Sequence, residues 1–211
     1  IALELPSVTV LSLFIPTFFM VSITPGMCMT LAMTLGMRFG LRSVAWMMIG
    51  ELSGVGLVAT LSAIGVAAIL LTTPSLFLAL KVGGGLYLIY LGIQMWQAKG
   101  KMALTDDSSL QASFTRRQLI VQGFITAVAN PKGWAFFVAL LPPFLDPDKN
   151  LTNQLVVFLA MILSLEALCL LIYGTGGKSL GRFLSEAHHQ RTLNRCSGSL
   201  LAGVGIWLML S

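Results

Sequence analysis

Charge is what this chain has least of. Of 211 residues, Lys, Arg, Asp and Glu supply 10%, against roughly a quarter in ordinary soluble domains. With 56% hydrophobic residues and a mean hydropathy of +0.87, the chain is an all-α integral membrane protein with room for about six spans and no soluble domain. Cysteine is also scarce. Cys28 and Cys169 fall inside apolar stretches and Cys196 at the start of one; without a CxxC pair they form no disulfide framework and read as reduced packing residues. The two histidines, His188 and His189, are adjacent and would point different ways on a helix, which argues against a shared metal site. They stand in a polar segment, so an intramembrane serine protease would lack its base. No cofactor and no metal are expected. No basic n-region or small-residue cleavage site precedes the first apolar run, which is expected to remain a permanent span. Bases outnumber acids 13 to 8, but they sit between the spans. Anionic lipid headgroups, and not nucleic acid, are therefore the expected partners.

What is present is a pair of interruptions. Ser22-Ile23-Thr24-Pro25-Gly26 and Val128-Ala129-Asn130-Pro131-Lys132 each lie inside a long apolar run. A proline within a helix removes a backbone donor and clashes with the carbonyl four residues earlier, so Val21 and Ala127 are expected to carry freed carbonyls. Thr24 and Asn130 are good N-cap residues, and each proline suits a first helical position. A new half-helix should start at each proline, its amides and positive dipole end turned to the break. In hydrocarbon such backbone survives only against protein or a wet cavity. Two breaks in corresponding places of two halves point to a transporter binding site; the plainer reading is two kinks that only bend their spans.

Taken in order, the spans cover about 7–37, 43–71, 76–98, 118–141, 151–173 and 196–210. Span two offers Gly50-x-x-x-Gly54 as a face for close helix approach. Lys81 lies near the start of span three and can snorkel. Between 174 and 195, Leu180, Phe183, Leu184 and Ala187 keep one helical face, which predicts a short helix in the membrane interface. Loops one, three and five hold Arg38, Arg42, Lys99, Lys101, Arg116, Arg117, Lys178, Arg182, Arg191 and Arg195, whereas loops two and four hold only Lys149. The odd loops are then cytoplasmic and both termini outside.

Motif order repeats. Glu51 precedes Gly84 by 33 residues and Glu166 precedes Gly198 by 32; Pro25 precedes Glu51 by 26 and Pro131 precedes Glu166 by 35, with the turn at 142–150 filling the difference. Three spans per half make the two halves enter from opposite sides. The expectation is a single domain, 1–211, built as a 3+3 inverted repeat of six transmembrane helices with helices 1 and 4 broken: repeat 1 at about 1–98, a cytoplasmic loop at 99–117, and repeat 2 at about 118–211.

Glu51 and Glu166 are the acids inside spans. Burying an ionised carboxylate there costs at least about 2.5 kcal/mol, which makes each a functional candidate, a titrating proton carrier above all. The alternative is a structural hydrogen bond between helices.

Thr24-Pro25-Gly26, the Gly50-Glu51 pair, Gly85-Leu86-Tyr87-Leu88-Ile89-Tyr90-Leu91-Gly92, Asn130-Pro131-Lys132 and the glycine-rich last span, in that order, resemble the lysine exporter and homoserine/threonine resistance (LysE/RhtB) translocators. The resemblance covers essentially the whole chain. It implies an inner (plasma) membrane exporter of amino acids or close derivatives, driven by the proton gradient, and no enzyme. Members often have Pro-Gly-Pro where Pro25-Gly26-Met27 stands here, and Asp where Glu51 stands. A zwitterionic cargo needs places for a carboxylate and an ammonium. Amides after Pro25 and Pro131, with Thr24, Gly26 and Asn130 in reach and Lys132 adding charge, suit the first; unwound carbonyls or a span acid suit the second. Protons are the expected co-substrate, and a second copy of the chain as partner is left open. A divalent-cation exporter is the alternative, since Glu51, Glu166, Asn130 and freed carbonyls could ligate a hard cation. A thiol electron carrier is disfavoured, because Cys28 follows the first break but Trp134 holds the equivalent place after the second.

Overall fold

The two prolines decide where the first and fourth apolar runs stop being single helices. The computed structural model describes residues 7–72, 74–97, 114–141, 144–146 and 149–210, and the described residues run through eight helices with no strand among them. The first run divides into α1 (Val8–Ile23) and α2 (Met27–Phe39), and the fourth into α5 (Arg116–Val128) and α6 (Pro131–Leu140). Between them stand α3 (Leu41–Thr72) and α4 (Pro74–Gln97), and after them α7 (Leu151–Ser185) and α8 (Ala187–Leu210). Leu41–Gly65 and Leu151–Gly177 are each long and apolar enough to cross a membrane; α1 and α2 meet the same test as a pair bent by 57°.

Most of the loop expected at 99–117 lies outside the described residues. Its end is ordered by Thr115, whose hydroxyl caps α5 at the Gln118 amide while the Gln118 side chain returns to the Thr115 amide, satisfying two orphan donors reciprocally.

The segment after Tyr173 differs from expectation. α7 continues to Ser185 through a kink at Gly177, where φ is 42°, a left-handed value that glycine adopts without Cβ strain. Leu180 and Leu184 pack into the protein interior beside α2, so the apolar face expected to lie in the interface is spent on the fold, with Phe183 left exposed. α8 then starts at Ala187, nine residues before the expected start of the last span.

α3, which carries Glu51, packs on α5 and α6, and α7, which carries Glu166, packs on α1 and α2. α4 packs along α8. Glycines set these approaches, as small residues do where no water drives helices together. A methyl group at Gly205 would come within 2.6 Å of the Gly85 carbonyl, and one at Gly198 would strike Gly92. On α3, Gly50 and Gly54 face α5, and Gly123 of α5 in turn lies against Met47 and Glu51.

Two clusters fill the interior. One, beside α1, is aromatic: Phe14 stacks on Phe18 and meets Phe144 and Phe158 edge-on, while Phe18 leans on Phe136 and Phe137. The other, beside α2, is rich in methionine, with Met29, Met33 and Met47 buried and Met37 and Met48 at its edge. The first break lies between them.

Candidate functional site

At the first break the backbone leaves the helical ladder after Ile23, and the orphaned groups find side-chain partners. Tyr173 of α7 donates its hydroxyl to the Ile23 carbonyl at 2.7 Å. Thr24 donates back to the Met20 carbonyl at 2.7 Å, Ser197 of α8 donates to the same carbonyl at 3.0 Å, and the two hydroxyls lie 2.9 Å apart. Thr24 is therefore the C-cap of α1 and not the expected N-cap of the next half-helix. That place falls to Gly26, which makes no side-chain cap bond. With its hydroxyl held between Met20 and Ser197, Thr24 has none to offer the amides of α2, and those of Met27, Cys28 and Met29 precede the first ladder bond, Thr30 to Gly26, at 2.9 Å.

At the second break the expected start holds: α6 begins at Pro131, directly after Asn130. The Ala127 carbonyl is not open, however. The Asn130 amide donates to it at 3.2 Å in a tightened turn, the usual way a helix end consumes its own acceptors. Trp134, one turn into α6, donates its indole N–H to the Val128 carbonyl at 2.9 Å. The two breaks are thus held by different means, the first by α7 and α8 and the second by its own half-helix.

The two acids meet, one from α3 and one from α7. Glu51 on α3 is completely buried, and neither of its oxygens finds a hydrogen-bond partner at ordinary geometry, although the Cys28 thiol and the Glu166 carboxyl adjoin it. Glu166 on α7 accepts a 2.6 Å hydrogen bond from the Ser22 hydroxyl. Both acids line a cavity of about 70 Å³ together with the polar or small residues Ser22, Thr24, Gly26, Cys28 and Asn130 and the apolar residues Phe18, Val55, Phe136 and Phe137. That is room for a few waters. The Asn130 amide nitrogen points at the Cys28 sulfur, 4.0 Å away.

Of the residues singled out from sequence, Thr24, Gly26, Asn130, Glu51 and Glu166 come together around this cavity, with Pro25 half-buried between two of them. The side chains of Pro131 and Lys132 lie outside the described residues. Sequence reasoning did not single out Ser22, Tyr173, Ser197 or Trp134 as partners of the breaks. Ser22 was within the first break motif and Trp134 just after the second, so position was a usable signal for these two. Nothing marks Ser197, 173 residues from Thr24, as its neighbour.

The LysE type translocator family matches residues 19–211 of this chain. A homoserine/homoserine lactone efflux protein of Salmonella typhi is 27% identical over 92% of this chain and 93% of its own length. Membrane proteins of Vibrio cholerae and Bacillus subtilis are 28% and 26% identical, covering 89% and 94% of this chain and 90% and 97% of theirs. No solved structure matches.

Proposed function

The chain belongs to the LysE type translocator family, and from that premise we propose that it exports an amino acid or close derivative across the inner membrane in exchange for protons. It is a multi-pass membrane protein and a translocator, not an enzyme; at family level the efflux relatives support amino-acid export. The observation that carries the finer reading is the meeting of Glu51 and Glu166 in one cavity beside the uncapped start of α2.

Two carboxylates side by side in apolar surroundings repel and are costly to ionise together. The pair is relieved either by a proton or by the ammonium of a cargo, and the exclusion of one by the other is what antiport requires. The first-turn amides of α2 and the dipole end they carry suit the cargo's carboxyl group, with Thr24, Pro25 and Gly26 forming that break and Asn130, Pro131 and Lys132 its counterpart. The packing of each acid-bearing helix on the opposite broken pair supports the 3+3 inverted repeat, in which one half rocks against the other around a fixed site. The count of basic residues supports cytoplasmic odd loops and termini on the outer side.

A cation exporter would hold its ion on the same two carboxyls with neutral oxygens; among the described residues no group of three or more His, Cys, Asp or Glu side chains is placed to hold a metal ion. Proteoliposomes separate the two readings. Amino acids, and not divalent cations, should release protons on addition and accumulate on the acidic side of the membrane. Proton release by divalent cations alone would replace this proposal with the alternative.

A further inference from the structure

The buried face of α8 changes chemistry at the level of the first break. Leu201 and Val204 carry it into the aromatic cluster beside α1, whereas in the other direction the same face presents Ser197, Asn194 and Gln190, 0%, 8% and 4% exposed. Spacings of three and four residues stack these positions on one side of the helix. Ser197 meets the Thr24 hydroxyl at 2.9 Å, and Thr24 lines the cavity that holds Glu51 and Glu166. Gln190 stands one turn from the start of α8 at Ala187, where Glu186, His188 and Arg191 are exposed. Polar side chains thus run from the cavity to the polar end of the helix.

A polar face inside a span is costly unless protein groups or water satisfy it. The plain reading is hydrogen bonding between helices, and Ser197 conforms to it through Met20 and Thr24. Gln190 does not: its Oε1 is buried and has no partner in the protein. A carboxamide oxygen in that position is penalised unless water reaches it. Rises of about 6 and 4.5 Å separate the three residues along α8, gaps that single waters bonding about three polar groups each can bridge. On the far side of the cavity the packing is aromatic, with Phe18 against Phe136 and Phe137, and Phe14 against Phe144 and Phe158.

We propose that Gln190, Asn194 and Ser197 line a file of waters along which the acid pair exchanges protons with the α7–α8 side of the membrane, cytoplasmic in the orientation proposed above, while the aromatic cluster closes the other side. A proton leaves a carboxyl for the nearest water, passes between waters by successive donation, and is released as hydronium at the exposed start of α8. Neutral side chains suit that task, because a fixed charge on the path would hold or repel the proton. This rests on the proton-exchange reading.

Two measurements on the full chain in proteoliposomes test it, with L-threonine, L-leucine and L-lysine as cargo probes. For a probe that exchanges, Asn194→Leu, which fills the same space without a polar group, should keep counterflow within about twofold of wild type and lower accumulation driven by a pH difference about tenfold. Asn194→Ser, which keeps the face polar, should accumulate as wild type does, and so should Thr192→Leu on the exposed side of α8. In a chain with its three cysteines replaced by serine, Asn194→Cys should react with silver ion, close to water in size, at least about tenfold faster than Leu201→Cys on the apolar stretch of the same face. The reaction is read as loss of maleimide labelling after denaturation. Equal silver rates at the two positions overturn the proposal, as does an Asn194→Leu variant in which counterflow and accumulation fall together or neither falls. If no probe exchanges, or wild type accumulates none under a pH difference, the export or proton-exchange reading fails instead, and the silver rates still decide whether the path exists.

Discussion

Ser22 and Glu166, 144 residues apart in the chain, meet at 2.6 Å, the serine hydroxyl donating to the carboxyl Oε2 of the glutamate. The bond ties α1, one residue before its end, to the acid of α7 and so links the first break to one half of the carboxyl pair. A hydrogen bond to a charged acceptor contributes about 1.5–3 kcal/mol, enough for its making and breaking to bias the position of α1.

Ser22→Ala should insert normally and exchange cargo in counterflow, while accumulation driven by a pH difference drops about tenfold. Ser22→Thr, which keeps the hydroxyl, should recover most of it. Equal pH-driven accumulation by Ser22→Ala and wild type would show that the bond is structural only.

The breaks themselves give the next test. Pro131→Ala restores a backbone donor at the first residue of α6, and Pro25→Ala does the same between Thr24 and Gly26. Both should insert, because a continuous helix is favourable in a membrane, and both should lose most transport. Full transport by both variants would reduce the breaks to bends.

These breaks were legible in sequence because proline acts locally, by removing one N–H and crowding one carbonyl. Glu51 and Glu166 were legible because an acid in a span is rare and costly. Where the chain's own register decided, at Asn130-Pro131, the expected half-helix start holds. At Thr24 it does not, since the hydroxyl that should have capped α2 is engaged by Met20 and by Ser197 from α8, a partner fixed by tertiary packing that no local pattern encodes. The same limit hid Tyr173 at the Ile23 carbonyl and turned the supposed interfacial face at Leu180 and Leu184 inward. The Gly50–Gly54 face was readable as a place of close approach, but not as the face that meets Gly123 of α5.

That contact is a third test. A methyl at Gly123 would strike the Met47 carbonyl and come within 2.9 Å of the Glu51 amide, so Gly123→Val must push α5 from α3 beside the acid, at a cost of about 1–3 kcal/mol. Transport should fall at least tenfold with the protein still inserted. Gly203→Val, where nothing lies within 4 Å, should transport normally. Unimpaired transport by Gly123→Val would show that the α3–α5 approach can relax without consequence.

Orientation is checked by labelling. In a chain with its three cysteines replaced by serine, Ser108→Cys in loop three should resist a membrane-impermeant thiol reagent in intact cells. Lys149→Cys, at an exposed position that leaves the Asn150 cap of α7 in place, should react. The reverse pattern would invert the topology.

Glu51 offers the sharpest test of coupling. It is the more deeply buried of the two acids, its oxygens lack hydrogen-bond partners at ordinary geometry, and glycines on α3 and α5 bring the two helices close together beside it. Glu51→Gln keeps the volume of the side chain and removes both the titrating proton and the charge that an ammonium would meet. In wild-type vesicles, cargo should accumulate on the acidic side, as protons leave that side in exchange. In Glu51→Gln this accumulation should vanish, while counterflow at saturating cargo persists with KM raised about tenfold or more, the loss of one charge-assisted contact. Glu166→Gln, whose amide oxygen can still accept from Ser22, should retain counterflow with a smaller change in KM. If Glu51→Gln accumulates cargo under a pH difference as wild type does, Glu51 is not the proton carrier, and the role passes to Glu166 or to another driving ion.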